Sequence, residues 1–291
     1  MSEAAVRRAR PEDHAAVAAF TANTFEWGDY VAEAFPGWLA LEEAAVFVAT
    51  DADDTAVAVA RVVQLSPREI WMHAARVHPD HRRQGLGSAM NESGLAWGRE
   101  RGAVVAGLMT DVSNVAAQGQ VASMGYRSVA TWFYANRTID PGTADPAGDG
   151  LDLEEHPQPL AAAPSVDIEP AYLTWASSEL ATAGHDLIPR GWSMRRMSVD
   201  DVATAARDRT LYEGPAGWSI IERDDGRVWV PWLVTIPDDA YSFVRAITAR
   251  VAADGCTDVS LLLPRVPWLE SAAERAGFSV HPHIVWQIEI V

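Results

Sequence analysis

The chain has 291 residues, 48% hydrophobic and 22% charged, enough apolar material for one large domain or two ordinary ones, which excludes a disordered or collagen-like chain. Its 23 basic residues, every one an arginine, stand against 40 acidic ones for a net charge of −17. Such a field repels nucleic-acid phosphates and anionic membranes, so an anionic ligand must be captured by a local basic patch.

The opening MSEAAVRRARPED is too polar for a signal peptide, and no apolar run approaches the roughly 20 residues of a membrane span. The expectation is a soluble cytoplasmic protein that meets neither nucleic acid nor membrane, and the lysine-free, acidic composition suggests an acidic, salt-adapted proteome. Residues 5–9 read as a short strand that turns at Arg10-Pro11 into a helix. Proline near its first position and Glu12 and Asp13 in its first turn suit a helix N-terminus. Apolar segments Ala45–Ala49, Ala56–Val63 and Ile70–Val77, separated by polar turns, predict an antiparallel meander. HPDHRRQGLG follows, then a helix over Ser88–Arg101 with Met90, Gly94 and Trp97 at helical spacing and Gly102 as its stop. A buried strand, Val104–Met109, leads to Asn114, a helix ending near Gly125, and a strand over Tyr126–Ala135. A first domain is predicted over residues 1–139.

Residues 140–170 are rich in Pro, Gly, Ala and acid without apolar periodicity and read as a linker. A helix is expected around Tyr172–Leu180. Beyond it Met194-Arg195-Arg196-Met197-Ser198-Val199-Asp200-Asp201 repeats the character of Val6–Asp13. In the same order Ile236-Pro237-Asp238 echoes His78-Pro79-Asp80, Asp254-Gly255 echoes Arg101-Gly102, and Ala276-Gly277-Phe278 echoes Met124-Gly125-Tyr126. The second copy is shorter, having lost a strand or loops. Two related domains follow, the second over residues 171–291 and reduced. The fold class is α/β (α+β), each lobe a mixed, mostly antiparallel sheet flanked by helices. The single cysteine, Cys256, has no disulfide partner and no visible base beside it; it is most simply a small buried residue. No cysteine cluster offers a zinc site, and no metal is expected.

The most informative segment is Val77–Ser88. Gly85 and Gly87 let the chain turn sharply and bring its amides close to a ligand. With the N-terminal end of the following helix those amides suit a pyrophosphate, and Arg82 and Arg83 add charge-assisted donors. Arg76, His78, His81, Arg82 and Arg83 form the local basic patch that the chain's acidity requires. The plainer alternative is a strand-to-helix turn with exposed arginines.

The pattern Val77-x-Pro79-x-x-Arg82-x-x-Gly85-x-Gly87, with a helix behind it, resembles the acyl-CoA-binding motif of the GNAT superfamily of N-acetyltransferases. The opening strand, Pro-Glu-Asp turn and helix resemble that family's first unit, and Asn114 followed by Ala117 and Gly125-Tyr126 resembles its second CoA-associated segment. The resemblance covers about residues 4–137 and, more faintly, 192–291, a tandem arrangement with a degenerate second lobe. It implies that backbone groups of Ala75 and Val77 hold the pantetheine arm of acetyl-CoA. Arg82, Arg83, Gln84, Gly85, Leu86, Gly87 and Ser88 would line the pyrophosphate, and Asn114 would touch the pantetheine or the thioester end. In the second lobe the matching loop, Ile236–Ser242, has two acids where phosphates would sit, and no CoA is expected there.

The family's mechanism is direct attack of an amine on the thioester in a ternary complex. That needs a route for the amine's proton, oxyanion donors and an acid for the thiolate. His73, four positions before Val77, is a candidate base and equally a half-exposed strand histidine; Glu26, Asp29 and Glu69 are weaker candidates. Seven residues after Asn114, where the family has a tyrosine acid, this chain has Val121. Tyr126 and Tyr134 are substitutes or simple packing residues, and a thiolate of pKa about 8.5 can also leave through water. Trp27, Trp38, Trp71 and Trp132 would wall an acceptor pocket or pack the core, and Trp229, Trp232, Trp268 and Trp286 an interface or substrate wall. The function expected is acyl transfer to a small amine or a protein amino group, cationic given the field. The alternative is a non-catalytic acyl-CoA-binding or regulatory protein; a third reading, with both lobes structural, requires no CoA affinity. By analogy with single-domain relatives that pair as dimers, two lobes in one chain favour a monomer.

Overall fold

Residues 5–24, 28–139, 160–224 and 227–290 are described by the computed structural model. The chain divides into two compact units that interleave along the sequence: unit 1 comprises residues 1–109, 114–127 and 286–291, and unit 2 comprises 110–113 and 128–285. Most of the expected linker, residues 140–159, lies outside the described residues.

Unit 1 begins with β1 (Ala5–Arg8), a 3-10 turn over Pro11–Asp13 and α1 (His14–Thr21), as the Pro-Glu-Asp signal predicts. Asp13 folds back to accept the Arg10 backbone N–H at 2.7 Å and both Arg7 terminal nitrogens at 2.8 Å. After α2 (Val31–Leu39) come β2 (Ala44–Thr50), β3 (Ala56–Ser66) and β4 (Glu69–Val77), then α3 (Leu86–Glu100), β5 (Val105–Asp111) and α4 (Val115–Ser123). The strands lie in the order β1-β2-β3-β4-β5, antiparallel except for the parallel β4–β5 pair. The sheet is buried on both faces. Val46, Val48 and Val59 pack with Val17 of α1 and Phe35 and Trp38 of α2. Ala49, Ala58 and Ala60 pack with Leu86 and Met90 of α3.

Unit 2 contains β6 (Arg127–Thr138), β7 (Ala161–Ala162), α5 (Ile168–Ala176), α6 (Glu179–Ala183), β8 (Leu187–Arg190), β9 (Ser193–Arg196), α7 (Val199–Arg207) and β10 (Leu211–Gly214). It continues with β11 (Gly217–Asp224), β12 (Arg227–Val234), α8 (Ala240–Ala253), β13 (Asp258–Pro264), α9 (Pro267–Arg275) and β14 (Ser279–Glu289), whose end belongs to unit 1. Its sheet runs β14-β6-β13-β12-β11-β10-β7, with β8 and β9 forming a separate hairpin. Phe133, Leu211, Val230, Phe243, Ile247, Leu261 and Leu269 lie at its core.

The internal repeat is visible in this architecture. In the second copy α7 follows β9, the β10-β11-β12 meander leads to α8, and β12 pairs in parallel with β13 as β4 does with β5. Asp201 repeats the device of Asp13, accepting from Arg195 at 2.5 Å and from the Ser198 backbone N–H at 2.9 Å. The second copy is shorter for a reason different from a lost strand. α7 ends at Arg207 and β10 starts at Leu211, whereas α2 and its loops intervene between α1 and β2. The single helix expected over 172–180 is two, α5 and α6. Ser178 breaks it by donating its hydroxyl to the Trp175 carbonyl at 2.7 Å while capping the Ala181 N–H, the competition with helix that makes serine a better cap than interior residue. Among the described residues no helix is long and apolar enough to cross a membrane.

Candidate active site

The site is built in unit 1 where β4 departs from regular pairing on both edges. Against β3, Arg61 faces His73 and Val59 faces Arg76, so one residue of β3, Ala60, is spanned by two of β4, Ala74 and Ala75. Ala74 adopts φ +58°, a left-handed conformation that costs a residue with a Cβ roughly 1–2 kcal/mol. Its side chain is buried in the core cluster that also holds Val17, Phe35 and Val59. A bulge leaves its extra residue out of the ladder and re-aims the strand. Against β5 the parallel register runs only from Glu69/Val105 to Trp71/Gly107, while β4 continues to Val77. At the last paired position the buried Trp71 ring lies over Gly107, where a Cβ would come within 2.5 Å of it. The two strands therefore part beyond Trp71, and the bulge at Ala74-Ala75 borders the gap.

The loop leaving β4 supplies the second element. His78 accepts the Asp80 N–H and opens a 3-10 turn over Pro79–His81. Arg83 (φ +62°) and Gly85 (φ +80°) then take left-handed conformations, and α3 starts at Leu86. Gly85 caps this 15-residue helix with no side-chain hydrogen bond, and its first turn holds no acid, so its leading N–H groups meet no competing carboxylate. The Leu86 side chain is buried in the core and leaves only its backbone to face a ligand. Arg82, Arg83 and Gln84 are exposed and Gly87 and Ser88 half-buried; Arg82 Nε reaches back to the Val77 carbonyl at 3.4 Å. These groups fit a diphosphate: bare helix-terminal amides, two guanidinium groups and glycine where close approach is needed. In unit 2 the matching helix α8 follows Pro237-Asp238-Asp239 with Asp239 at its cap position, which opposes an anion at the same place.

On the α1–α2 face of the sheet a group of residues surrounds the start of the bulge. His73 Nε2 accepts from Arg61 Nη1 at 3.0 Å and its ring lies 5.9 Å from that of Trp38. Arg61 covers the Trp38 ring at 5.2 Å and Arg76 the Tyr30 ring at 5.9 Å. Arg76 Nε donates to the buried Asp29 carboxylate at 2.6 Å. Burial first, then the charges of Arg61 and Arg76, push the His73 imidazole down to about 3. His73 is thus neutral at physiological pH with its acceptor nitrogen already engaged, which makes it a weak proton acceptor. Glu69 accepts a hydrogen bond from Ser66 at 2.8 Å at the opposite end of β4. Glu26 and Trp27 lie outside the described residues. The sequence names Asp29 as a weaker candidate base and Arg76 as part of the basic patch without joining them; Tyr30 and Arg61 are not singled out there, because no local spacing links α2 to β3.

Asn114 caps α4, its side-chain oxygen accepting the Ala117 N–H at 3.1 Å, which leaves the amide nitrogen available. Val121 is buried and brings no hydroxyl. Tyr126 is buried and bonded to Asn91, and burial pushes its phenol up to about 12, so it holds its proton tightly. Tyr134 belongs to unit 2, where its hydroxyl pairs with that of Ser260 at 3.1 Å and its ring contacts those of Trp192, Trp229 and His281. Trp38, Trp71, Trp132, Trp232 and Trp286 are buried, and Trp268 donates to Glu179. Cys256 is buried. Among the described residues no group of three His, Cys, Asp or Glu side chains is arranged to hold a metal ion.

Residues 13–126 match the acetyltransferase (GNAT) family. No curated protein matches the chain. Among solved structures, a GCN5-related N-acetyltransferase from Sphaerobacter thermophilus is 18% identical, covers 100% of this chain and 96% of its own, and superposes with a TM-score of 0.69. A tandem GNAT protein from the clavulanic acid biosynthesis pathway is 14% identical over 99% of both chains, with a TM-score of 0.58. A GCN5-related N-acetyltransferase from Kribbella flavida is 14% identical over 98% of this chain and 72% of its own, with a TM-score of 0.50. At these identities the likeness is one of fold, and it extends over both lobes.

Proposed function

Since residues 13–126 form a domain of the GNAT acetyltransferase family, we propose that the chain transfers an acetyl group from acetyl-CoA to an amine that attacks directly, without an acyl-enzyme. Support comes above all from one arrangement: β4 bulges at Ala74-Ala75 and parts from β5 beyond Trp71, next to a loop that ends in an uncapped, acid-free helix N-terminus. When bound, acetyl-CoA supplies the carbonyl that is attacked and the thiolate that leaves. Backbone groups of Ala75 and Val77 hold the pantetheine arm, and the amides from Gly85 to Ser88 with Arg82 and Arg83 hold the diphosphate. A bulge amide freed from the ladder donates to the developing oxyanion. With His73 near 3, the amine loses its proton to water rather than to an imidazole, and the thiolate, of low intrinsic pKa, leaves through water too. The net charge of −17 draws a cationic acceptor.

A second reading, a non-catalytic acyl-CoA-binding protein, is favoured by one observation: Val121 and the hydrogen-bonded Tyr126 leave unit 1 without a ready proton donor there. Titration of acetyl-CoA by calorimetry at low and high salt, followed by turnover against a panel of amines, separates the readings. One saturable site with turnover supports catalysis, and one site without turnover selects the binding protein. No binding at either salt overturns both.

A further inference from the structure

Two tyrosine or tryptophan side chains are exposed among the described residues, Tyr30 at 49% and Trp192 at 44%. They differ in what covers them. Arg76 stands over the Tyr30 ring at 5.9 Å, and the same device recurs over Trp97, Tyr241 and Tyr212, with a guanidinium at 4.1, 4.1 and 5.3 Å from the ring centre. No arginine of the described residues lies over Trp192. Arg190, two positions before it, is turned instead to Asp201 at 2.7 Å and stands 3.8 Å from Glu222.

Trp192 lies in the two-residue turn of the β8–β9 hairpin, which stands apart from the main sheet. Its ring meets three others of unit 2: Tyr134 of β6 at 5.0 Å, Trp229 of β12 at 5.9 Å and His283 of β14 at 5.9 Å. These contacts fix the indole while nearly half of the residue stays in water. Acceptors flank the rings. His283 Nδ1 donates to the His281 carbonyl at 2.8 Å, so in the neutral imidazole that burial favours Nε2 keeps its lone pair. The Asp111 carboxylate stands 4.0 Å from that nitrogen. On the other side Glu222 is the cross-strand partner of Trp229; burial raises its carboxyl, a cost that a cation nearby offsets.

We propose that unit 2 binds an organic ammonium ion on the exposed face of Trp192. Electron-rich ring faces, a lone pair and two carboxylates all attract positive charge, and the net charge of −17 concentrates cations at the surface. The indole takes the alkyl part of the ligand, and the ammonium group takes the place that a guanidinium holds over Trp97 and Tyr241. The site goes beyond the acetyl-transfer reading and does not depend on it.

The test titrates n-butylammonium, and n-butanol as its neutral counterpart, into the full chain and follows the indole N–H resonances by NMR. The resonance missing from Trp192→Phe identifies Trp192. Wild type is expected to bind the ammonium saturably, with a shift of that resonance, and the alcohol about 10-fold more weakly or less. Trp192→Ala is expected to weaken the ammonium about 5- to 30-fold, read from the Trp229 resonance, and Trp192→Phe to weaken it less. The substitutions fall in an exposed turn, and unchanged thermal unfolding shows that the variants are folded. Equal binding of alcohol and ammonium, absence of saturable binding, or binding that survives Trp192→Ala overturns the proposal. Sedimentation of wild type at rising concentration examines the other occupant: self-association lost in Trp192→Ala gives this face to a second copy of the chain and overturns the proposal as well.

Discussion

Asn91 of α3 donates its side-chain N–H to the Tyr126 hydroxyl at 3.0 Å, and both side chains are buried. The bond ties the helix behind the Val77–Ser88 loop to the residue that follows α4. Burial pushes the phenol up to about 12, and we propose that Tyr126 serves packing rather than proton transfer. Tyr126→Phe is therefore expected to leave kcat within about twofold and to lower stability by about 1–3 kcal/mol, the cost of leaving the Asn91 amide without its partner. Urea unfolding and steady-state rates on the same variant check both halves. A large fall in kcat with unchanged stability would return Tyr126 to the list of acids.

Asp13 and Asp201 close the same turn in the two copies, and Asp13 makes the pH-dependent prediction. Burial raises its carboxyl, but the hydrogen bonds from Arg7 and the Arg10 backbone more than offset that, so it sits below its ordinary value. A carboxyl depressed in the folded state contributes stability that is complete above its unfolded value of about 3.9 and is lost as pH falls through the folded value. Asp13→Asn is expected to cost about 2 kcal/mol at pH 7, with the gap to wild type closing below about pH 4. Denaturant unfolding at pH 7, 5 and 3 follows that gap, and one that does not change with pH would show that the Arg7 pairing is not its source.

What could be read before the structure followed from how local each signal is. The Pro11-Glu12-Asp13 turn, the β2–β4 meander and the loop from Val77 to Ser88 are written in contiguous residues, and the repeat is legible because Met194–Asp201 and three later short segments echo the first copy in the same order. The bulge at Ala74 is not legible in the sequence: alanine has no preference for positive φ, and its burial in the α1–α2 core cluster is a matter of tertiary packing. α2 was missed as well, since its nine residues carry Pro36 and Gly37, both poor helix formers. Without α2 in view, nothing joined Tyr30 and Trp38 to Arg61 and His73. The candidate base was found by position alone, and the charges that weaken it come from β3 and from β4 itself.

Gly87 offers a test of the diphosphate cradle that hardly touches the fold. A Cβ there would lie 2.4 Å from Gln120 Nε2, the far end of a flexible side chain that can swing away, and a helical Gly→Ala change gains up to about 1 kcal/mol in propensity. Gly87→Ala is expected to keep Tm within a few degrees yet weaken acetyl-CoA binding, because the methyl group intrudes where backbone amides meet phosphate oxygens. Arg82→Ala and Arg83→Ala are each expected to cost about 10-fold in affinity, with a reduced salt dependence. Calorimetry across the three variants, at two ionic strengths, gives the comparison. Losses in the arginine variants alone would place the phosphates away from Gly87.

His73 makes the sharpest prediction, because its pKa enters both stability and rate. An imidazole held near 3 by burial, Arg61 and Arg76 stays neutral when folded but takes up a proton near 6.5 when unfolded. Its contribution to stability is therefore complete above about pH 6.5 and is lost as pH falls towards 3, with a slope of up to roughly 1.4 kcal/mol per pH unit. His73→Gln should flatten that slope, which denaturant unfolding between pH 4 and 7 measures. For the rate, an imidazole restored to its ordinary pKa in the loaded enzyme would give kcat a limb near 6.5; with the proton leaving to water, the kcat profiles of wild type and of His73→Gln should instead rise together towards the pKa of the acceptor amine. A limb near 6.5 in kcat, present in wild type and absent in His73→Gln, would return His73 to the role of base.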